Sequence, residues 1–332
     1  MKIKVLSFFA ICLFGLFSVG GHAQTKDLKV VILGDSGPED GGRGFQTEIF
    51  EKLLRGIKKN NPDAVFYIGN LISGLEQNTS PAGIKAFQQK LNEFSKLVAE
   101  NLGAGIPVYP IMGNQSLMNI EAVSIFRNHF KIVSTAPLEP YQLAYIAMLD
   151  NVQFVVLATG YYERKFLSYR QYQETLPILS WLEKVLRTGG NTIRYRFVID
   201  HEPEFSPMAP AGTFTGLDRN VEKRDLFWNI LRRNGVLAYF SANEAIFDRS
   251  NRGGVWQIIT GGAGPSLPKR QGSYIFYHYV LLTIPKEPNK NPVMEVFDSN
   301  GTAWDKFELT PLDRPVYQLR ISSSLSSGKF SS

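Results

Sequence analysis

Five short polar segments each follow an apolar run in this chain. They are Gly34-Asp35-Ser36-Gly37, Gly69-Asn70-Leu71-Ile72-Ser73, Gly113-Asn114-Gln115-Ser116, Val198-Ile199-Asp200-His201 and Ser241-Ala242-Asn243-Glu244-Ala245. Asp35 brings a carboxylate, Asn70, Asn114 and Asn243 bring amides, and His201 brings an imidazole. Polar loops at strand ends are where binding and catalytic groups usually sit, because the sheet fixes where each loop begins. Taken singly, each segment is an ordinary turn, and an Asp after a strand-end Gly can cap a turn without any ligand. More acids lie close by: Glu39 and Asp40 after the first segment, Asp200 and Glu202 beside His201, and Glu244 in the fifth. Together with Asp35 they would offer oxygens suited to calcium, magnesium or manganese. The simpler reading is that they are solvated loop acids.

The elements that hold these segments are legible from periodicity. Lys29–Leu33, Ala64–Ile68 and Val108–Ile111 are short apolar runs that read as buried strands. Helical spacing of apolar residues marks Phe45–Lys59 and Ile84–Glu100, which gives three strands alternating with two helices and an α/β beginning. Beyond Pro140 the pattern changes. Leu143–Met148 and Val152–Thr159 flank Asp150-Asn151 and read as an antiparallel hairpin. A helix is expected over Gln171–Leu186, strands at Tyr195–Ile199, Val236–Ser241 and Val255–Thr260, and a helix at Val221–Arg233. Tyr274–Leu309 reads as a strand meander. The outline is a β-sandwich with helices on its outer faces.

In order, spacing and flanks, the five segments resemble the metal-ligand blocks of the purple acid phosphatases, members of the calcineurin-like metallophosphoesterase superfamily. Those blocks read G-D-x-G, G-D-x-x-Y, G-N-H-D/E, V-x-x-H and G-H-x-H. The flanks agree as well: Asn61-Pro62-Asp63-Ala64 before the second block, Leu179-Ser180-Trp181-Leu182 before the fourth, and His201-Glu202-Pro203 within it. Gly235-Val236 leads into the fifth block, and Thr260-Gly261-Gly262-Ala263-Gly264 follows it. The resemblance runs from about Lys29 to Leu309 and implies an α/β (α+β) four-layer fold, a central β-sandwich flanked by helices.

The same resemblance implies that the chemistry has been lost. In the family two adjacent metal ions, held by seven side chains, activate a hydroxide against a phosphate ester. Position by position, Asp35, Asn114 and His201 are kept; the bridging Asp is Asn70, the Tyr is Ser73, and the last two His are Asn243 and Ala245. Two divalent ions about 3.5–4 Å apart repel by roughly 17–19 kcal/mol at an effective dielectric of ~20, and a neutral Asn offsets little of that. The His that assists the leaving group is replaced by Gln115, which cannot exchange a proton near neutral pH. Asp35, Asn70, Asn114, His201 and Asn243 are therefore expected to mark a vestigial metal site of low occupancy, and no cofactor is expected. The implied function is a pseudophosphatase with a binding or structural role, its partner a protein or a phosphate-containing ligand at the old site rim. The alternative is an active phosphoesterase with a single or rearranged site of iron, zinc or manganese. Since residues flanking a strand ligand point the other way, Asp200 is a poor substitute for the missing groups and Glu202 only a somewhat better one.

The ends and composition place this domain. Lys2 and Lys4, the apolar run Val5–Val19 and Gly21-His22-Ala23 read as a secretory signal cleaved near Ala23-Gln24. The run is shorter than the ~20 residues that span a bilayer. Secretion to the periplasm or the outside is expected, with no transmembrane segment after cleavage. A single domain is expected over 24–320, with a disordered Ser-rich tail over 321–332. Cys12, the only cysteine, lies within the signal, so the mature protein must be held by its core without disulfides. Removing Lys2 and Lys4 lowers the net charge from +6 to +4, spread in scattered pairs such as Arg232-Arg233 and Lys269-Arg270. That is no nucleic-acid footprint. His129 and His278 sit among aromatic and long apolar residues and read as packed side chains. The aromatics Tyr161-Tyr162 and Tyr274–Tyr279 fit a core or, if exposed, a binding groove.

Overall fold

A computed structural model describes residues 26–36, 47–72, 80–103, 105–114, 120–136, 142–158, 175–208, 220–264, 267 and 274–310. The expected signal, the tail, Glu39, Asp40, Ser73, Gln115, Tyr161, Tyr162, Lys269 and Arg270 fall outside these residues.

Two six-stranded sheets form the centre. In the first, β1 (Leu28–Gly34) pairs in parallel with β2 (Ala64–Ile68), which pairs in parallel with β3 (Val108–Ile111). On the other side of β1 the chain's last strands run antiparallel: β10 (His278–Ile284), β11 (Val293–Asp298) and β12 (Ala303–Glu308). The second sheet opens with the hairpin β4 (Tyr145–Leu149) and β5 (Val152–Val156). Parallel strands β6 (Tyr195–Ile199), β7 (Val236–Ser241) and β9 (Val255–Thr260) follow, and β8 (Phe247–Arg252) closes the edge antiparallel to β9.

The two-residue period of a strand separates the layers. Val30, Ile32, Phe66 and Ile68 face Phe154, Phe197, Ile199 and Phe240 between the sheets. Their neighbours Val31, Leu33, Val65 and Tyr67 turn outward onto α1 (Thr47–Lys59), α2 (Pro81–Leu102) and α3 (Ile120–Phe130). On the opposite face Val155, Val198 and Tyr239 meet α4 (Thr175–Arg187) and α5 (Val221–Arg233). The result is helix, sheet, sheet, helix, as the resemblance implied. Caps fix where helices begin: the Ser80 hydroxyl accepts from the Gly83 N–H at 3.1 Å and the Asn220 amide oxygen from Lys223 N–H at 3.0 Å.

Two elements were absent from the sequence reading. β8 reads Phe-Asp-Arg-Ser-Asn-Arg, a polar strand at a sheet edge, where only Phe247 and Asn251 are buried. Helix α3 was also missed, although Val123 and Phe126, three residues apart, pack into the outer core. Among the described residues, no helix is long and apolar enough to cross a membrane.

Candidate functional site

Because β1, β2 and β3 run in parallel, and β6, β7 and β9 do likewise, the segments after them can meet at one end of the sandwich. Asp35 is the residue that joins them. One carboxylate oxygen accepts the main-chain N–H of Asn70 at 2.9 Å, and the other accepts that of Asn243 at 2.6 Å. These bonds tie the loop after β1 to the loops after β2 and β7. Asp35 and Asn243 both have positive φ, 54° and 62°, a region that Asp and Asn tolerate better than most residues.

The amides complete a network. Asn70 donates to the Asn114 side-chain oxygen at 3.5 Å. Asn114 in turn donates to Asn243 Oδ1 at 2.9 Å and to Glu202 Oε1 at 3.0 Å. The Gly69–Asn70 peptide is cis. Close packing permits no bulk here: a Cβ on Gly113 would lie 2.2 Å from Asn70 Oδ1, and one on Gly261 would lie 1.9 Å from the Glu244 carbonyl oxygen.

Hydrogen bonds thus gather four of the five expected positions, Asp35, Asn70, Asn114 and Asn243. His201 stands next to Glu202 in the same network, with only 1% of its surface exposed. Its main chain is fixed by Ala242 N–H to its carbonyl at 2.9 Å and by its own N–H to Asp200 Oδ1 at 2.7 Å. Ala245 is buried and offers no donor.

The acids depart from expectation. Asp200, Glu202 and Glu244 are not solvated loop acids; all three are buried, and so is Glu204. Glu202 was discounted because it flanks His201. A strand's alternation stops at Ile199, however, and the irregular turn beyond it brings the Glu202 carboxylate onto Asn114. No periodicity signals that. Burial raises the Tyr239 phenol well above its ordinary pKa, and the charges of Asp200, Glu204 and Glu202 add to the effect. Tyr67 is raised in the same way by burial, with the Asp35 charge adding to it.

The comparisons with known proteins agree with this fold. A sequence profile of the calcineurin-like phosphoesterases matches residues 28–245. The chain belongs to the calcineurin-like phosphoesterase family. Among solved structures it is similar to a purple acid phosphatase from yellow lupin (Lupinus luteus) seeds, with a TM-score of 0.59 and 16% identity. That match covers 87% of this chain but only 54% of the lupin chain, so this protein spans about half of it. It is also similar to GAP50, the anchor in the inner membrane complex of Plasmodium, with a TM-score of 0.58 and 14% identity over 86% of this chain and 90% of that one. No curated protein matches the sequence.

The family's two-metal centre does not fit the donors in place. The carboxylate of Asp35 is engaged by two main-chain N–H groups, the bridging position holds a neutral amide, and the amides are spent on one another. Among the described residues, no three His, Cys, Asp or Glu side chains are grouped to hold a metal ion.

Proposed function

We propose that this member of the phosphoesterase family is a secreted or periplasmic pseudophosphatase, a protein that binds through its old site end and does not hydrolyse phosphate esters. One observation carries the reading: the loops that would hold two metal ions are joined by direct hydrogen bonds from Asp35, Asn114 and Asn243. A cationic bridge between strand ends has been replaced by an amide–carboxylate one. The signal-like beginning of the sequence supports export. The likeness to GAP50, described as an anchor, is consistent with a binding role on this fold.

The test is metal content and activity. Purified protein exposed to zinc, iron, manganese and calcium, then dialysed, is expected to retain substoichiometric metal and to leave p-nitrophenyl phosphate intact. Retention of one or two equivalents, with turnover that disappears in His201→Ala, would overturn the proposal in favour of a rearranged working site.

A further inference from the structure

The turn between β11 and β12 lies at the same end of the sandwich as the Asp35 network. The Ser299 N–H bonds the Tyr277 carbonyl, His278 N–H bonds the Gly262 carbonyl, and Ala263 N–H bonds the Gly34 carbonyl. Trp304, just beyond that turn, is 54% exposed. β12 is three strands from β1, about 14 Å at the usual strand spacing.

Trp304 is held rigidly in spite of its exposure. One face stacks on Phe276, with centroids 4.7 Å apart and planes 23° from parallel. Its indole N–H donates to Asp298 Oδ2 at 3.1 Å, and Asp298 Oδ1 accepts the main-chain N–H groups of Asn300 and Thr302, each at 2.8 Å. Partial burial works to raise the Asp298 pKa, but bonds from Thr302, Trp304 and Asn300 outweigh it and hold the group ionised. The outer face of the indole is left to solvent beside a carboxylate. A rigid aromatic face costs little entropy to bury on binding, which favours such groups as anchors.

The chain itself shows what such a pair takes. Elsewhere along β12, Arg249 lies 3.9 Å over the Phe307 ring while its Nε donates to Asp305 Oδ2 at 2.7 Å. Arg224 and Arg252 sit 4.6 and 3.9 Å over the Phe205 ring. Guanidinium on an aromatic face, with a carboxylate at hand, is thus used repeatedly within this fold. Among the described residues no cation lies over Trp304.

We propose that Trp304 and Asp298 form a docking point for an exposed arginine side chain of a partner protein. The proposal deepens the binding role proposed above and rests on it. The anionic carboxylate argues against phosphate as the occupant.

The experiment exploits the tryptophans. Of four, Trp181, Trp228 and Trp256 donate their indole N–H to the carbonyls of Thr135, Arg252 and Thr310 and are not exposed, which leaves Trp304 open to a quencher. Fluorescein-labelled hexa-arginine is titrated by anisotropy, with hexa-citrulline as its neutral counterpart, and unlabelled peptide is scored for protection of Trp304 from acrylamide. Hexa-arginine is expected to bind and to protect, and hexa-citrulline to do neither. Trp304→Ala and Asp298→Asn should each weaken hexa-arginine by about two- to fivefold, the range of an exposed cation–π contact. Equal binding by hexa-citrulline, or unchanged affinity in Trp304→Ala, would overturn the proposal. Protection by maltohexaose without protection by hexa-arginine would do so as well, in favour of a sugar. If Arg314→Ala or Arg320→Ala in the full chain exposes Trp304 further without peptide, the occupant is the chain's own C-terminal segment and the partner reading fails. None of these outcomes depends on metal content or turnover, so they leave the pseudophosphatase proposal to its own test.

Discussion

Asp35→Asn separates a structural carboxylate from a metal ligand that has lost its metal, because the two roles predict effects of opposite sign. In the structure the carboxylate accepts two main-chain N–H bonds, from Asn70 at 2.9 Å and Asn243 at 2.6 Å. Hydrogen bonds to a charged group are worth about 1.5–3 kcal/mol each, so the pair contributes roughly 3–6 kcal/mol. An asparagine retains one acceptor, worth about 1 kcal/mol, and turns an NH2 group toward the other N–H. Relief from burying a charge offsets roughly another 1–2 kcal/mol. The net expectation is a loss of about 2 kcal/mol, the middle of what these terms leave, and at roughly 2–4 °C per kcal/mol for a domain of this size the melting temperature should fall by about 4–8 °C. The assay is thermal and urea unfolding followed by far-ultraviolet circular dichroism, in EDTA so that metal contributes nothing. A relic ligand with no structural duty would leave the variant as stable as the parent, or more so. An unchanged or raised midpoint would refute the argument that Asp35 now serves as the cross-link.

Two further outcomes follow from the same end of the fold. Gly113→Ala should destabilise by about 2 kcal/mol, since the added methyl would meet Asn70 Oδ1 at 2.2 Å and its main-chain N at 2.7 Å and force the loops after β2 and β3 apart; a melting temperature equal to the parent's would contradict this packing. His278 is buried with its Nδ1–H donated to the Phe276 carbonyl, and burial lowers its pKa from 6.5 to about 4. The unfolded chain therefore takes up a proton first as pH falls, so stability drops between pH 6.5 and 4, by about 3 kcal/mol in total. His278→Gln should flatten that part of the pH–stability profile, and parallel profiles for parent and variant would show that another group dominates.

The expected β2, β3, β6, β7 and β9 match the observed strands at both ends, because short apolar runs stopped by a Gly or a polar turn leave little choice of boundary. β8 was missed for the complementary reason: at the sheet edge most of its side chains are only partly buried, and a polar hexapeptide carries no period-two signal. The packed character of His129 and His278 was legible from their apolar neighbours, and the structure agrees, with His129 Nε2 2.7 Å from the Ser95 hydroxyl and His278 within an aromatic cluster.

The sequence by itself determined the five strand-end segments and the order of the strands and helices other than β8 and α3. These are properties of residue type and local spacing, whereas the reading of Asn70, Ser73, Asn243 and Ala245 as replacements of Asp, Tyr and His is what the resemblance to the purple acid phosphatases implies. Only the tertiary structure decided that Asp35 binds loops 35 and 208 residues further along the chain, and that Glu202 turns inward onto Asn114 while Asp200, Glu204 and Glu244 are buried with it. The physical reason is that a carboxylate on an irregular turn has no periodicity to announce its direction. Its burial depends on donors supplied by segments distant in sequence, and those meet only after both sheets have formed.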